Sequence, residues 1–218
     1  MQSDVTRLKN RSSGEGPYEP VIRSVWNRTN FWLRYVLCQK EDARRKALTL
    51  GPIADIGLLS AALTLPKTAI GPVKRQVERM AHDLVGAGLV TLIHDVDGDL
   101  WGNRIGDVPL TPIEAVVRAG TLLSGFHRSE PLAGYVGRTV LVPSSVHLPM
   151  EQLVEAELYG IGVRRGKSVD ASELVVPPGI VAPNRVTPEW WDFCERMYAA
   201  HLEAAGQKLV HFNSLNQL

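Results

Sequence analysis

The stretch from Pro66 to Arg104 constrains the fold of this 218-residue chain more than any other part. Its apolar residues recur at the three-and-four spacing of a helix with one buried face: they are Ile70, Val73, Val77, Met80 or Ala81, and Leu84. A short strand is predicted from Leu89 to Ile93. Asp97 and Gly98 are residue types that tolerate positive φ in a tight turn, and a second strand is predicted from Leu100 to Ile105. The stretch therefore predicts a helix followed by a β-hairpin.

A second helix is predicted immediately before this stretch. Leu50 to Leu65 is almost entirely apolar in its middle, opens at Pro52 and is stopped by Pro66. The next helix begins near Thr68 or Gly71. Helix, short break and helix is the order of a helix-turn-helix, and the hairpin that follows would be the wing of a winged helix-turn-helix.

Two segments carry a resemblance to a known family: Val77-Glu78-Arg79-Met80 and Leu84-Val85-Gly86-Ala87-Gly88-Leu89-Val90. They resemble the end of the recognition helix and the start of the wing in bacterial winged-helix regulators, especially those of the multiple-antibiotic-resistance type. This resemblance implies a sequence-specific double-stranded DNA-binding protein that acts as a prokaryotic transcriptional regulator.

The face of the predicted helix opposite its apolar stripe is basic. Lys74, Arg75 and Arg79 lie on it within two turns. We predict base contacts from Arg75 and Arg79, and phosphate contacts from Lys67, Thr68 and Lys74. The alternative is that these are ordinary solubilising charges on an amphipathic helix.

The predicted hairpin tip is acidic, with Asp95, Asp97 and Asp99, which DNA phosphates would repel. Arg104, in the second predicted strand, partly offsets this charge and is a further DNA-binding candidate. The alternating aspartates do not match a calcium loop, because Leu100 and Gly106 stand where the turn glycine and the bidentate glutamate belong.

The overall charge gives no sign of nucleic-acid binding. Lys and Arg number 24 against 23 Asp and Glu, so positive charge would have to be concentrated locally. The residues show no metal-ligand spacing, and we expect no metal, no cofactor and no catalytic residue. Without a long apolar run or a signal-peptide pattern, and with Cys38 and Cys194 expected as buried free thiols, we predict a cytoplasmic protein that does not contact a membrane.

The N-terminal part is predicted as a flexible arm over residues 1–20 and a winged helix-turn-helix domain over 21–106. A helix is predicted from Val21 to Leu48 on the apolar stripe of Trp32, Leu33 and Val36. Regulators of this kind often pair through helices outside the winged domain, so we expect a homodimer.

Residues 107–218 are predicted as a small α/β domain for dimerisation, partner contact or sensing. A helix is predicted from Ile113 to Leu123, with Thr111 as its cap. The further predicted elements are strands at Arg138–Pro143, Gly160–Arg164 and Leu174–Pro177, and helices at Pro149–Tyr159 and after Thr187.

Three segments of this half resemble the back half of restriction-endonuclease-like proteins: Thr139-Val140-Leu141-Val142-Pro143, Ala156-Glu157-Leu158-Tyr159-Gly160-Ile161-Gly162-Val163 and Val175-Val176-Pro177. The resemblance implies a divalent metal held by an Asp and a Glu, with a Lys two residues after the Glu. The closest match is Asp107 with Glu114, but Val116 stands in the lysine position. It therefore implies a nuclease-like fold without the chemistry.

Together these patterns predict an α+β protein with an N-terminal winged helix-turn-helix and a small α/β domain. The function predicted first is sequence-specific double-stranded DNA binding. The alternatives are a metal-dependent nuclease of restriction-endonuclease-like fold and a non-catalytic protein-interaction subunit.

Overall fold

The computed structural model describes residues 20–181 and 185–207. The strands are β1 (Val21–Trp26), β2 (Thr29–Leu37), β3 (Gly71–Pro72), β4 (Val90–His94), β5 (Leu100–Arg104), β6 (Leu110–Arg118), β7 (Gly137–Val142), β8 (Ile161–Gly166) and β9 (Ser172–Val176). The helices are α1 (Gln39–Ala47), α2 (Ile56–Leu63), α3 (Arg75–Arg79), α4 (Ala81–Gly86), α5 (Leu122–Ser129), α6 (Met150–Leu158) and α7 (Pro188–Ala204). The α+β class predicted from the sequence is confirmed.

The described residues divide into two compact units, each built from two separate pieces of chain. The first unit contains residues 20–36 and 111–181, and the second contains 37–110 and 185–207. The sequence patterns had instead predicted one boundary between the two domains, between residues 106 and 107. Residues 1–19 of the predicted arm lie outside the described residues.

The first unit is organised around a six-stranded sheet with the order β1-β2-β6-β7-β8-β9. Its central strands β6, β7 and β8 are parallel, whereas β1 with β2 and β8 with β9 are antiparallel pairs. Val140, Leu141 and Val142 are all buried, as expected for a parallel strand covered on both faces. Gly125 of α5 allows close packing on β7, because a Cβ at this position would overlap Val140.

The second unit combines helices with a three-stranded antiparallel sheet of order β3-β5-β4. Its core includes Leu58 and Leu59 of α2, Val77 of α3, Leu84 of α4 and Trp191 of α7. Packing of these side chains is the main source of stability for such short helices.

A buried ion network joins α1 to α7 within the second unit. Arg45 donates hydrogen bonds to both carboxylate oxygens of Glu195 at 2.7 and 2.6 Å, and its Nε donates to Glu41 at 2.8 Å. Glu195 also accepts from the Ile53 amide at 3.0 Å and the Trp191 indole at 2.9 Å. Burial lowers the pKa of Arg45, but attraction to Glu195 and Glu41 outweighs it and raises the pKa above its ordinary value.

The helix predicted from Val21 to Leu48 is wrong: the segment forms β1, β2 and only then α1. Phe31, Leu33 and Tyr35 are each 1% exposed or less, which is the alternation of a half-buried strand. Trp32, Leu33 and Val36 fit the three-and-four spacing of a helix, so the segment carries both patterns. Pairing of β2 with β1 decides in favour of the strand.

The helix predicted from Ile113 to Leu123 is also wrong, because most of this segment belongs to β6. Its Ala115, Val116 and Val117 are buried, and β6 lies inside the sheet between β2 and its parallel neighbour β7. The cap is Thr121, whose hydroxyl accepts the Ser124 amide at the start of α5.

Most other elements of the second half are confirmed. The predicted bounds are correct to within two residues for β7, α6, β8 and β9. α7 begins directly after Thr187, which caps it as predicted. No helix within the described ranges has the length and apolar character needed to cross a bilayer.

The turn between β1 and β2 generates a stability prediction. Asn27 and Arg28 have φ values of 45° and 67°, the pattern of a hairpin turn in which glycine is preferred at the second position. We expect Arg28→Gly to raise the free energy of unfolding by about 1 kcal/mol, because glycine occupies the left-handed region without Cβ strain. Chemical denaturation measures it. Arg28→Ala keeps the Cβ, and an equal gain in that variant would contradict this explanation.

A second stability prediction concerns the buried network. Glu195→Ala should lower the free energy of unfolding by roughly 3–5 kcal/mol, because Arg45 would remain buried without its main partner. Urea titration of both proteins gives the difference. The matched control is Glu203→Ala, which removes an exposed carboxylate from the same helix. A loss no larger than that of the control would show that the pair is dispensable.

Candidate functional site

Two of the residues predicted to contact DNA, Arg75 and Arg79, lie in α3, and a third, Lys74, immediately precedes it. Lys74, Arg75 and Arg79 are exposed and form no side-chain hydrogen bond or ion pair with any described residue. Val77 on the opposite side is fully buried and anchors the helix. Arg75 and Arg79 are four residues apart in α3, so they lie on the same side of the helix.

The single long helix predicted for this region is divided in two. Met80 ends α3 and precedes α4, with φ −105° and ψ 9°. Ile70, predicted to be buried, is 55% exposed, because Gly71 and Pro72 form β3 instead of the first helical turn. The basic face is therefore carried by a helix of five residues.

The linker before α3 is tied to the hairpin. β3 pairs with β5, and the Val73 amide donates to the Leu100 carbonyl at 3.0 Å. The Arg104 amide donates to the Pro66 carbonyl at 2.8 Å. These bonds hold the start of α3 beside β5.

The other predicted contact residues have different surroundings. Lys67 is exposed and forms a 2.6 Å ion pair with Asp107, while Thr68 is exposed. The Arg104 guanidinium lies 5.5 Å from the ring centre of Trp191 and is half-buried. Arg104 is therefore not part of the exposed surface of α3.

The acidic hairpin tip is a structural turn centred on Asp95. Its carboxylate accepts from the amides of Asp97 and Asp99 and from the Trp101 indole at 2.8–3.0 Å. Desolvation raises the pKa of Asp95, but the hydrogen bond from Trp101 and those from the backbone outweigh it and lower the pKa. Gly98, at φ 87°, closes the turn. The negative charge at this tip disfavours phosphate contact there.

The proposed nuclease match is centred on Glu114, which is buried in the first unit. Its carboxylate accepts hydrogen bonds from Thr139 at 2.6 Å, Arg34 at 3.0 Å and Arg164 at 3.4 Å. Desolvation raises the pKa of Glu114, but these hydrogen bonds and the two arginines outweigh it, so the pKa is lowered.

These surroundings do not fit a divalent metal. Two guanidinium groups beside Glu114 would repel a second cation. Val116, in the lysine position, is fully buried, and Asp107 is paired with Lys67. Among the described residues, no three His, Cys, Asp or Glu side chains are grouped so that they could hold a metal ion.

The first unit also contains a cavity of about 720 Å³ that was not predicted from the sequence. Four arginines line it: Arg23, Arg28, Arg118 and Arg128. They belong to the β1–β2 hairpin, the end of β6 and α5, and only the sheet brings them together. One local feature could have indicated the β1–β2 hairpin. Asn27 is a residue type suited to a hairpin turn, and it lies between two segments whose side chains can alternate between buried and exposed as in strands.

The Glu114 cluster generates a pH prediction. A carboxylate with a lowered folded-state pKa contributes stability above its unfolded pKa, and this is lost as the pH falls through the folded value. The stability advantage of the wild type over Glu114→Gln should therefore shrink below about pH 4.5, the ordinary pKa of the group. Denaturant titrations across this pH range measure it. Glu155→Gln removes an exposed carboxylate and serves as the control; an advantage of wild type over Glu114→Gln that is independent of pH would contradict the assignment.

Comparison with known proteins does not extend these observations. The chain matches no protein-family model, no curated protein and no solved structure. The function proposed below therefore rests on the residues of this chain.

Proposed function

We propose that the chain binds double-stranded DNA through the basic surface of α3, formed by Lys74, Arg75 and Arg79, and acts as a prokaryotic transcriptional regulator. The observation that carries the proposal is a group of three exposed cations, Arg75 and Arg79 on α3 and Lys74 immediately before it, none of them paired with a described residue. Unpaired cations of this kind are the usual donors to phosphates and base edges.

The order of elements in the second unit supports a winged helix-turn-helix. α2, the linker with β3, α3 with α4, and the hairpin β4–β5 follow one another along the chain. Pairing of β3 with β5 restrains the linker, so α3 is presented on a defined scaffold. A rigid support is what base recognition requires of a helix that enters a groove.

Charge assigns different roles to the helix and the hairpin. Asp95, Asp97 and Asp99 make the hairpin tip unfavourable for DNA, so we assign the contact to α3. Arg75 and Arg79 would read base edges, and Lys74, Lys67 and Thr68 would contact phosphates. Arg104 stays a prediction as a DNA contact, since its guanidinium lies against Trp191.

The test is a variant that removes two of these cations. Arg75→Ala combined with Arg79→Ala should weaken duplex binding strongly and reduce the slope of log K against log salt by about 2, because two fewer positive charges displace counterions. Fluorescence anisotropy with a labelled random-sequence duplex measures the slope, and fragments from upstream of the coding region test for specificity.

The matched control is Arg165→Ala with Lys167→Ala, which removes the same charge from the β8–β9 hairpin of the first unit. Arg165 pairs with the exposed Glu173, so its loss should cost little stability. If both double variants changed the salt slope equally, α3 would not be the DNA surface. Absence of duplex binding by the wild type at low salt would refute the function itself.

The homodimer, the protein partner and the cytoplasmic location stay predictions. The nuclease alternative is not carried forward, because Glu114 is engaged by Thr139 and two arginines.

A further inference from the structure

The first unit contains a concave, strongly basic surface that the proposed DNA contact does not use. The cavity of about 720 Å³ is lined by Arg23, Arg28, Arg118 and Arg128, and no carboxylate is among its lining residues. Its volume lies within the range of small-molecule sites, roughly 300–1,000 Å³.

Three of the four guanidinium groups have no partner within the described parts of the chain. Arg23, Arg28 and Arg118 are exposed and make no side-chain hydrogen bond or ion pair there. Arg128 is held in place by a bond from its guanidinium to the Arg118 carbonyl at 3.3 Å. Like charges gathered without counter-charge repel one another, so a bound anion would relieve the repulsion.

The backbone at the cavity is strained at Arg28. Arg28 occupies a left-handed conformation at a turn position that favours glycine. Backbone strain of this kind is typical of functional sites, which favours a binding role for the Arg28 guanidinium.

The position in the sheet also favours a ligand site. Arg118 is the last residue of β6, Ala119 and Gly120 follow it, and Pro143 follows the carboxyl end of the parallel neighbour β7. In open α/β sheets, ligands bind in the crevice outside the carboxyl ends of the strands. Trp32, which is partly exposed, adds apolar surface to the wall.

We infer that this cavity binds a phosphorylated small molecule carrying several negative charges, with the arginine forks on its phosphates and Trp32 beside its organic part. Guanidinium groups bind phosphate oxygens in pairs of parallel hydrogen bonds, and four of them suit more than one phosphate. The concave shape and limited volume favour a small molecule over a duplex backbone. The inference is independent of the proposed DNA contact.

Isothermal titration calorimetry of the full chain without DNA tests this inference. The probes are ATP, AMP, inorganic pyrophosphate, adenosine and citrate. ATP and pyrophosphate should bind saturably, ATP more tightly than AMP, and adenosine not at all. Arg23→Gln combined with Arg118→Gln should raise the Kd for ATP at least about tenfold, because charge-assisted hydrogen bonds are lost.

Two further variants separate binding from folding and from DNA contact. Arg28→Gly should weaken ATP binding while keeping or raising stability, so unfolding could not explain the loss. Arg75→Ala with Arg79→Ala, and the charge-matched Arg165→Gln with Lys167→Gln, should bind ATP like the wild type.

Three results would overturn the inference. The first is that neither ATP nor pyrophosphate binds saturably, whether or not citrate binds. Another is an unchanged Kd for ATP in the Arg23→Gln, Arg118→Gln variant. The third is loss of duplex DNA binding in that variant when free phosphates do not bind, which would assign the arginines to nucleic acid.

Discussion

The buried ion pair between Arg45 and Glu195 holds together a unit made from two distant pieces of chain. The two side chains are 150 residues apart in sequence, and each is 1% exposed. Burying two such charges is tolerated only when their hydrogen-bond donors and acceptors have partners in the protein. Glu41, the Ile53 amide and the Trp191 indole satisfy that requirement, so α7 must return to α1 for the second unit to be complete.

The same rule separates structural charges from available ones. In the described residues, the buried Glu41, Asp42, Glu114 and Asp192 each have a cationic partner. The exposed cations of α3 and three of the cavity arginines have none. A chain with a net charge of +1 can therefore present exposed, unpaired cations in two places, because charge acts locally where it is not compensated.

Local patterns predicted much of the fold and part of the candidate site. The β4–β5 hairpin, β7, α6 and β8 follow from periodicity and turn residues within each segment. The exposure of Lys74, Arg75 and Arg79 follows from the burial of Val77 on the same helix. The errors occurred where two local patterns competed: Phe31, Leu33 and Tyr35 fit a strand, while their neighbours fit a helix, and pairing with β1 decided.

The sequence by itself determined the short-range features: helix, break and hairpin from α2 to β5, the Asp95 turn, and the strands and helices from β7 to α7. Each depends on residues a few positions apart. Only the tertiary structure decided that each unit is built from two separate pieces of chain, that Glu114 is surrounded by Arg34, Thr139 and Arg164, and that four arginines line one cavity. These arrangements depend on pairing between strands far apart in the chain, and side-chain periodicity carries no information about which strands will become neighbours.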